Sequence, residues 1–336
     1  MPFQNKGNTR SILGRVQFQG AKLSAFFVAM LVFTAVNVAA AVTYQLSQDK
    51  DGLSATVARY RRDSKNCSAI MLGSSVAKRV FLANDARQPN GVKLTSLAYN
   101  LQLPSDAWIV LNRFLIPATS GCIIYCVTPR DFYDNDAPAV TNTTTFKRLV
   151  SLTDWFDSVA GLHLSPKQMA VSLFCKVLPL YETRSRFQIR LMETYRAVVP
   201  ERGAQAEDQW TRSMHEYAWR YKNIDEKYLT YQMECFRQNI QFCRRQGYSV
   251  LVVNLPLSRD NLGLLPQGFY RRYRETLQTL VQRSDARFAD LSDMVLSRND
   301  FTDCAHLSPP GGKKVFSEIE PLVLRLQKPQ LTSFRY

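Results

Sequence analysis

The strongest constraint on the fold of this chain is a set of short, almost wholly apolar runs, each bounded by turn or charged residues and each too short for a helix of its own. Ser68–Leu72, Cys122–Val127 and Ser249–Leu255 (SVLVVNL) carry no charged side chain. A strand that is apolar at nearly every position has no solvent face, so it belongs inside a parallel sheet covered on both sides. Val92–Asn100 and Arg287–Leu291 read as two further strands. Helical patterns alternate with these runs. Pro104 suits a first helical turn, with Trp108, Leu111 and Leu115 on one face of a helix over 104–115. Leu229, Met233, Phe236, Ile240 and Cys243 recur at helical spacing, with Gly247 as the stop. A helix over Pro266–Gln282 and a last one from Gly311-Gly312, with Val315, Phe316, Ile319 and Val323 aligned and Pro321 as a kink, complete the pattern. The fold class this predicts is α/β, with a parallel sheet between helical layers.

Two stretches depart from that grammar. Between Asp134 and about Asn223 the strand signal lapses, and Phe187–Tyr195 and Gln209–Tyr221 read as helices rich in aromatic and arginine side chains. Residues 135–225 are therefore read as a large helical insertion within a domain spanning 66–330. At the other end no charged residue falls between Lys22 and Asp49, and Leu23–Val42 reads LSAFFVAMLVFTAVNVAAAV. That run matches the ~20 residues needed to cross a hydrocarbon core of roughly 30 Å. Residues 23–47 are read as a transmembrane helix, 1–22 as a tail and 48–65 as a stalk or amphipathic helix. A cleaved signal peptide is the rival reading, since Ala39-Ala40-Ala41 offers small residues, although its apolar region is usually only about 7–15 residues. Lys6, Arg10, Arg15 and Lys22, with no acidic residue among them, place the tail in the cytoplasm. The domain is then extracytoplasmic, on the periplasmic or cell-surface side of a single-pass membrane protein. Asn37 is a mild cost within the span.

Lysine and arginine outnumber aspartate and glutamate by 43 to 28, a net charge of +15. No zinc-finger spacing, recognition-helix signature or aromatic RNA-binding motif accompanies that charge, which argues against nucleic acid as a partner. A solvated basic surface and attraction to anionic headgroups or acidic glycans both remain open. The seven cysteines show no framework spacing, and Cys122 and Cys126 read as core residues. His163, His215 and His306 form no ligand cluster, so no metal and no cofactor is expected.

Chemistry concentrates where ligand groups gather in parallel α/β sheets, at the carboxyl ends of the strands. Gly73-Ser74-Ser75 ends the first strand, Asn100-Leu101-Gln102 the second and Thr128-Pro129-Arg130-Asp131 the third. The Asp303-Cys304-Ala305-His306 segment precedes the final helix and must return to the same rim. A serine hydroxyl is a poor nucleophile until a histidine takes its proton, and that histidine needs an acid to fix its tautomer. Asp303, three residues before His306, supplies one. Taken singly, Ser75 reads as a helix N-cap, His306 as a loop histidine and Cys304 as structural. Their convergence on one rim makes Ser75, His306 and Asp303 the candidate catalytic residues.

These segments resemble the SGNH (GDSL-type) hydrolase superfamily, over roughly residues 66–131 and 228–326. Gly73-Ser74-Ser75 is similar to the first block of that superfamily, usually Gly-Asp-Ser, and by position Ser75 is its nucleophile. Ala98-Tyr99-Asn100-Leu101 resembles the second block, Thr128–Asp131 stands at the third, and Asp303–His306 matches the last. The Gly-Ser-Ser variant with Pro129-Arg130-Asp131-Phe132 is most similar to membrane-anchored, extracytoplasmic members of the teichoic-acid D-alanylation and alginate-type O-acetylation kind. The resemblance implies an SGNH-like three-layer sandwich and acyl transfer or ester hydrolysis on a cell-surface glycan. It also implies a multi-pass membrane acyltransferase as partner. Ser74 replaces the first-block aspartate, the second-block glycine has no clear equivalent, and Arg130 replaces the third-block asparagine. Gly73, Asn100 and Arg130 are the candidates for oxyanion or substrate binding. Arg130 serves equally as a cationic donor, an anchor for substrate charge, or a partner of Asp131 or Asp134. The contrasting expectation is a non-catalytic module of the same fold that binds glycan or a membrane acyltransferase.

Overall fold

Five of the apolar runs pair into one all-parallel sheet: β1 (Ala69–Leu72), β2 (Leu94–Ser96), β3 (Cys122–Val127), β4 (Ser249–Asn254) and β5 (Arg287–Asp290), in the order β2-β1-β3-β4-β5. The computed structural model describes residues 26–39, 53–84, 91–100, 102–118, 121–133, 208–222, 224 and 226–327. Its described helices are α1 (residues 26–39), α2 (Leu53–Asp63), α3 (Ser75–Asn84), α4 (Pro104–Phe114), α5 (Gln209–Arg220), α6 (Glu226–Arg245), α7 (Arg259–Gly263), α8 (Phe269–Arg283) and α9 (Pro309–Gln327). The mixed α/β class and the parallel sheet are thus as the pattern of runs and helices predicts.

Alternation along each strand divides the core in two. Ile70, Leu72, Ile123, Tyr125, Val127, Val250 and Val252 face one apolar cluster, shared with α2, α4, α6 and α8. Ala69, Met71, Cys122, Ile124, Cys126, Leu251 and Val253 face a second, shared with α3 and α9. The three central strands β1, β3 and β4 therefore bury both faces, which is why their runs carry almost no polar residue, whereas the edge strand β5 keeps Arg287 exposed. Full burial of a side chain such as Ile123 or Ile124 is worth about 1.5–3 kcal/mol.

Register ties the central strands closely. Ala69, Ile70, Met71 and Leu72 lie opposite Cys122, Ile123, Ile124 and Tyr125, and Cys122 to Val127 lie opposite Ser249 to Asn254. The second strand is shorter than its apolar run. After Ser96 the chain leaves the ladder, because the Ser96 hydroxyl accepts the Ala98 amide at 3.0 Å. The amides of Leu97 and Tyr99 still reach the Met71 and Gly73 carbonyls, so this segment stays pinned to the end of β1. The helix expected from Pro266 begins instead at Phe269, since Gly268 turns left-handed (φ 72°) at its N-cap. The last helix starts two residues ahead of Gly311 and runs through Pro321.

The chain divides into two units, Met1–Gln48 with Ala170–Arg202, and Asp49–Met169 with Gly203–Tyr336. Of the first, only α1 is described. Its apolar side chains are exposed, Phe26 at 61% and Leu31 at 73% among them, and Asn37 Nδ2 donates to the Phe33 carbonyl within the helix. Among the described residues no helix is long and apolar enough to cross a membrane. The rest of the expected span 23–47, the tail 1–22 and the helix expected over Phe187–Tyr195 lie outside the described residues. Of the expected insertion 135–225 the structure describes 208–222 and 224, which include α5, a helix where the sequence predicts one.

Gly312 is where α9 meets α3. A Cβ there would lie 2.8 Å from the Ala83 Cβ and 3.2 Å from the Arg79 carbonyl oxygen. Alanine is the better helix former by about 1 kcal/mol, so a solvent-facing Gly→Ala change in a helix stabilises. Here the overlap dominates, and Gly312→Ala should lower unfolding stability by about 1–3 kcal/mol. Urea unfolding of the two proteins reads the sign directly.

Candidate active site

The turn that carries the candidate nucleophile begins with a backbone constraint. Gly73 follows β1 at φ 132°, and a Cβ there would collide with the Cys126 carbonyl oxygen of neighbouring β3. Only glycine fits, so β1 passes into α3 with no intervening loop. Gln102 locks the turn: its Oε1 accepts the Gly73 amide at 2.8 Å while its Nε2 donates to the Leu97 carbonyl at 3.2 Å. Ser74 is buried, and its carbonyl accepts the Lys78 amide as the first bond of α3. Ser75 opens the helix half-buried, with its hydroxyl at the rim.

The partner loop closes on itself between Phe301 and Leu307, which form an antiparallel bridge. Thr302 donates from both its amide (2.8 Å) and its hydroxyl (3.1 Å) to the His306 carbonyl. Within that closure the Asp303 carboxylate accepts the amides of Ala305 (2.9 Å) and His306 (2.8 Å). It also faces the imidazole Nδ1, at 3.0 and 2.9 Å from its two oxygens. An ionised carboxylate only accepts, so Nδ1 carries the proton and Nε2 is left as an acceptor. The Ser75 hydroxyl lies 2.8 Å from that nitrogen. Ser75, more than two hundred residues from the other two in sequence, thus joins His306 and Asp303 in one hydrogen-bonded chain. Burial opposes the charge on Asp303, but the His306 ring and the two amides outweigh it and hold the carboxyl below its ordinary pKa.

The strand order places this chain well. The strand order reverses between β1 and β3, and crevices form outside the carboxyl ends of the strands at such a switch. Ser75 follows β1, and Arg130 follows β3. There Thr128 donates from its amide (2.7 Å) and its hydroxyl (3.1 Å) to the Asp131 carboxylate, forming a tight turn that buries all of Pro129, Arg130 and Asp131. The Arg130 guanidinium turns toward α5. It donates to the Tyr217 hydroxyl at 3.2 Å and stands 5.6 Å over the Tyr217 ring. Burial pushes the Tyr217 phenol up to about 12 despite the arginine beside it. Asp131 makes its hydrogen bonds to Thr128 on the same turn, and burial raises its pKa. Asp134, the other carboxylate expected near Arg130, lies outside the described residues.

The remaining expected contacts fare differently. Gly73, expected among the oxyanion or substrate donors, has its N–H bound to Gln102 and acts instead as the pivot of the turn. Asn100 is exposed beyond β2, and no hydrogen bond joins it to Ser75, His306 or Asp303. Backbone donors are available in the first turn of α3, where the Ser75 and Val76 amides have no acceptor within the helix. Cys304 is fully buried, and burial raises its thiol pKa. Cys67, Cys122, Cys126, Cys235, Cys243 and Cys304 are free thiols. Among the described residues no group of three or more His, Cys, Asp or Glu side chains is placed to hold a metal ion. Sequence reasoning missed Gln102 and Tyr217 as parts of this site. Gln102 carried a weak signal, as a polar residue just past a strand end, whereas Tyr217 carried none beyond the aromatic content of its helix.

One protein-family model, carrying no functional description, matches residues 204–326. That stretch holds Asp303 and His306 but not Ser75. No curated protein matches the sequence.

The lowered pKa of Asp303 has a consequence for stability. A carboxyl held below its unfolded value of about 3.9 stabilises the fold above that pH, and loses the contribution as pH falls through its folded value. Wild type should therefore exceed Asp303→Asn in unfolding free energy at neutral pH. The gap should close below about pH 3.9. Urea unfolding of both proteins across a pH series checks it.

Proposed function

We propose that this chain is a membrane-anchored serine acyltransferase or esterase of the SGNH type, acting on a cell-surface or extracytoplasmic glycan through an acyl-Ser75 intermediate. The observation that carries the reading is the unbroken chain from the Ser75 hydroxyl through His306 to the Asp303 carboxylate. His306 Nε2 takes the serine proton as Oγ attacks the ester carbonyl, and Asp303 stabilises the imidazolium that forms. The Ser75 and Val76 amides, together with the Arg130 guanidinium, are the donors for the developing oxyanion. Collapse of the tetrahedral intermediate expels the alcohol, which takes the proton back from His306. A sugar hydroxyl or water then enters, gives its proton to His306 and attacks the acyl-serine; collapse of this second tetrahedral intermediate expels Ser75 Oγ, which takes the proton back from His306.

The compartment follows from the charge pattern around an uncharged stretch, with α1 as its described portion. Nearly every side chain of α1 is apolar and exposed, which suits lipid or the helices of a membrane partner. A multi-pass acyltransferase supplying acyl groups across the membrane fits a single-pass protein with this site. The net charge of +15 suits an acidic glycan or anionic lipid surface. One observation favours the second reading, a binding module of the same fold: the Gly73 amide is already taken and no asparagine stands at the end of β3. Loss of one oxyanion donor costs about 10²–10³ in rate, so the two readings separate experimentally.

A fluorophosphonate probe should label the wild-type chain and Ser74→Ala, and fail on Ser75→Ala. Absence of labelling in a folded wild type would support the binding module. If Arg130 acts on the transition state, Arg130→Ala should lower kcat and kcat/KM together by about 10²-fold. A rise in KM alone would assign it to substrate charge, and unchanged kinetics in a folded variant would remove it from the site.

A further inference from the structure

Of the two residues between the candidate acid and base, Cys304 is gripped at every polar atom. Cys304 is fully buried. Its amide donates to Ser213 Oγ on α5 at 3.0 Å, and its carbonyl accepts the Ser258 hydroxyl at 2.5 Å. Its sulfur accepts Asn261 Nδ2 at 3.6 Å. These partners have fixed roles. The Ser213 hydroxyl proton goes to the Trp210 carbonyl (2.7 Å), which leaves its lone pairs for Cys304. Ser258 Oγ also accepts the Asn261 amide (3.1 Å) as the N-cap of α7. The Tyr221 hydroxyl, just past α5, donates to Asn261 Oδ1 at 3.1 Å, so that amide cannot flip.

The helix that supplies Ser213 is itself anchored to the start of the same loop. Trp210 Nε1 donates to Asp260 at 3.0 Å, and the Arg298 guanidinium stacks 4.2 Å over the Trp210 ring. Arg298 lies in the turn that leads into Phe301, where the loop closes. One turn further along the same face α5 carries Tyr217, which holds Arg130. One helix from outside the sheet scaffold therefore touches the start of the acid–base loop, its middle, and the cation at the end of β3.

We infer that Ser213, Ser258 and Asn261 are positioning residues that set the His306 imidazole by holding Cys304, and that α5 thereby couples the inserted segment to catalysis. This rests on the Ser75–His306 reading. Displacement of reacting groups by about 1 Å costs on the order of 10² in rate, so a loop held at one end only is a poor base. Loss of the Ser213 contact would free the Cys304 amide and loosen His306 without touching it.

The test uses the full chain in detergent and two readouts: the rate of fluorophosphonate labelling at Ser75, and the hydrogen-bonded Nδ1 proton of His306 by NMR, assigned with His306→Gln. Ser213→Ala leaves the buried Cys304 amide without its acceptor and should melt a few degrees lower while remaining folded; it should label about 10-fold to 100-fold more slowly, and the Nδ1 proton should broaden by faster exchange. Ser213→Thr, which keeps the hydroxyl, should recover labelling to within about threefold. Wild-type labelling and an unaltered Nδ1 resonance in Ser213→Ala would overturn the inference. If the wild type itself does not label, the catalytic reading falls, and the Nδ1 resonance alone then decides whether Ser213 sets the ring. If Ser213→Ala does not fold, Trp210→Phe loosens α5 from outside the loop by losing its bond to Asp260. It must slow labelling and broaden the Nδ1 proton, and wild-type behaviour there would equally overturn the inference.

Discussion

The close approach of Gly73 to the Cys126 carbonyl is the constraint on which the rest of the site depends. Strand β1 lies between β2 and β3, so its carboxyl end is crowded from both sides. A residue with a side chain would have to back away from β3, which needs a loop. Glycine removes that need, and α3 starts after a turn of only two residues, Gly73 and Ser74. Three properties then come together. Ser75 stands at the switch in strand order, its hydroxyl faces the rim, and its amide belongs to a helix start with no internal acceptor. Gln102 completes the arrangement by binding the one amide that the turn leaves behind.

The acid–base loop answers a different problem, how to keep a carboxylate ionised in partial burial. Desolvation alone would neutralise Asp303. Three donors, two of them backbone amides, reverse that balance and fix the carboxyl plane against the imidazole. Because the amides come from residues 305 and 306, the interaction that ionises the acid also aims the base. Arg130 follows another rule. It is buried against an aromatic ring and a phenol, which restrict the guanidinium to a single direction. A restricted cation is useful beside developing negative charge, since it need not reorganise during reaction.

The strands were legible because burial on both faces leaves an unmistakable record, a run without polar residues. Ser75, Asp303 and His306 were legible for a related reason. Each sits in a short segment whose chemistry is local, a strand-end serine and an acid three residues before a histidine. Gly73 was legible as a glycine but not as the pivot it is, because the atom it avoids belongs to a strand some fifty residues later. The length of β2 was misread for a similar reason, as a buried run continues past Ser96 while its hydrogen bonds turn inward.

Amino-acid order by itself determined the α/β class of the fold and the parallel direction of the strands, since these rest on periodicity, and it singled out Ser75, Asp303 and His306 as the candidate residues. It also marked the uncharged amino-terminal stretch. Tertiary structure alone decided that Gln102 occupies the Gly73 amide, that Arg130 turns to Tyr217, and that α5 holds Cys304. Each of those bonds joins residues 29 to 91 positions apart. No local pattern encodes such a pair, because what selects the partner is the packing of whole helices against the sheet, and many residues of the same type compete for it until that packing is complete.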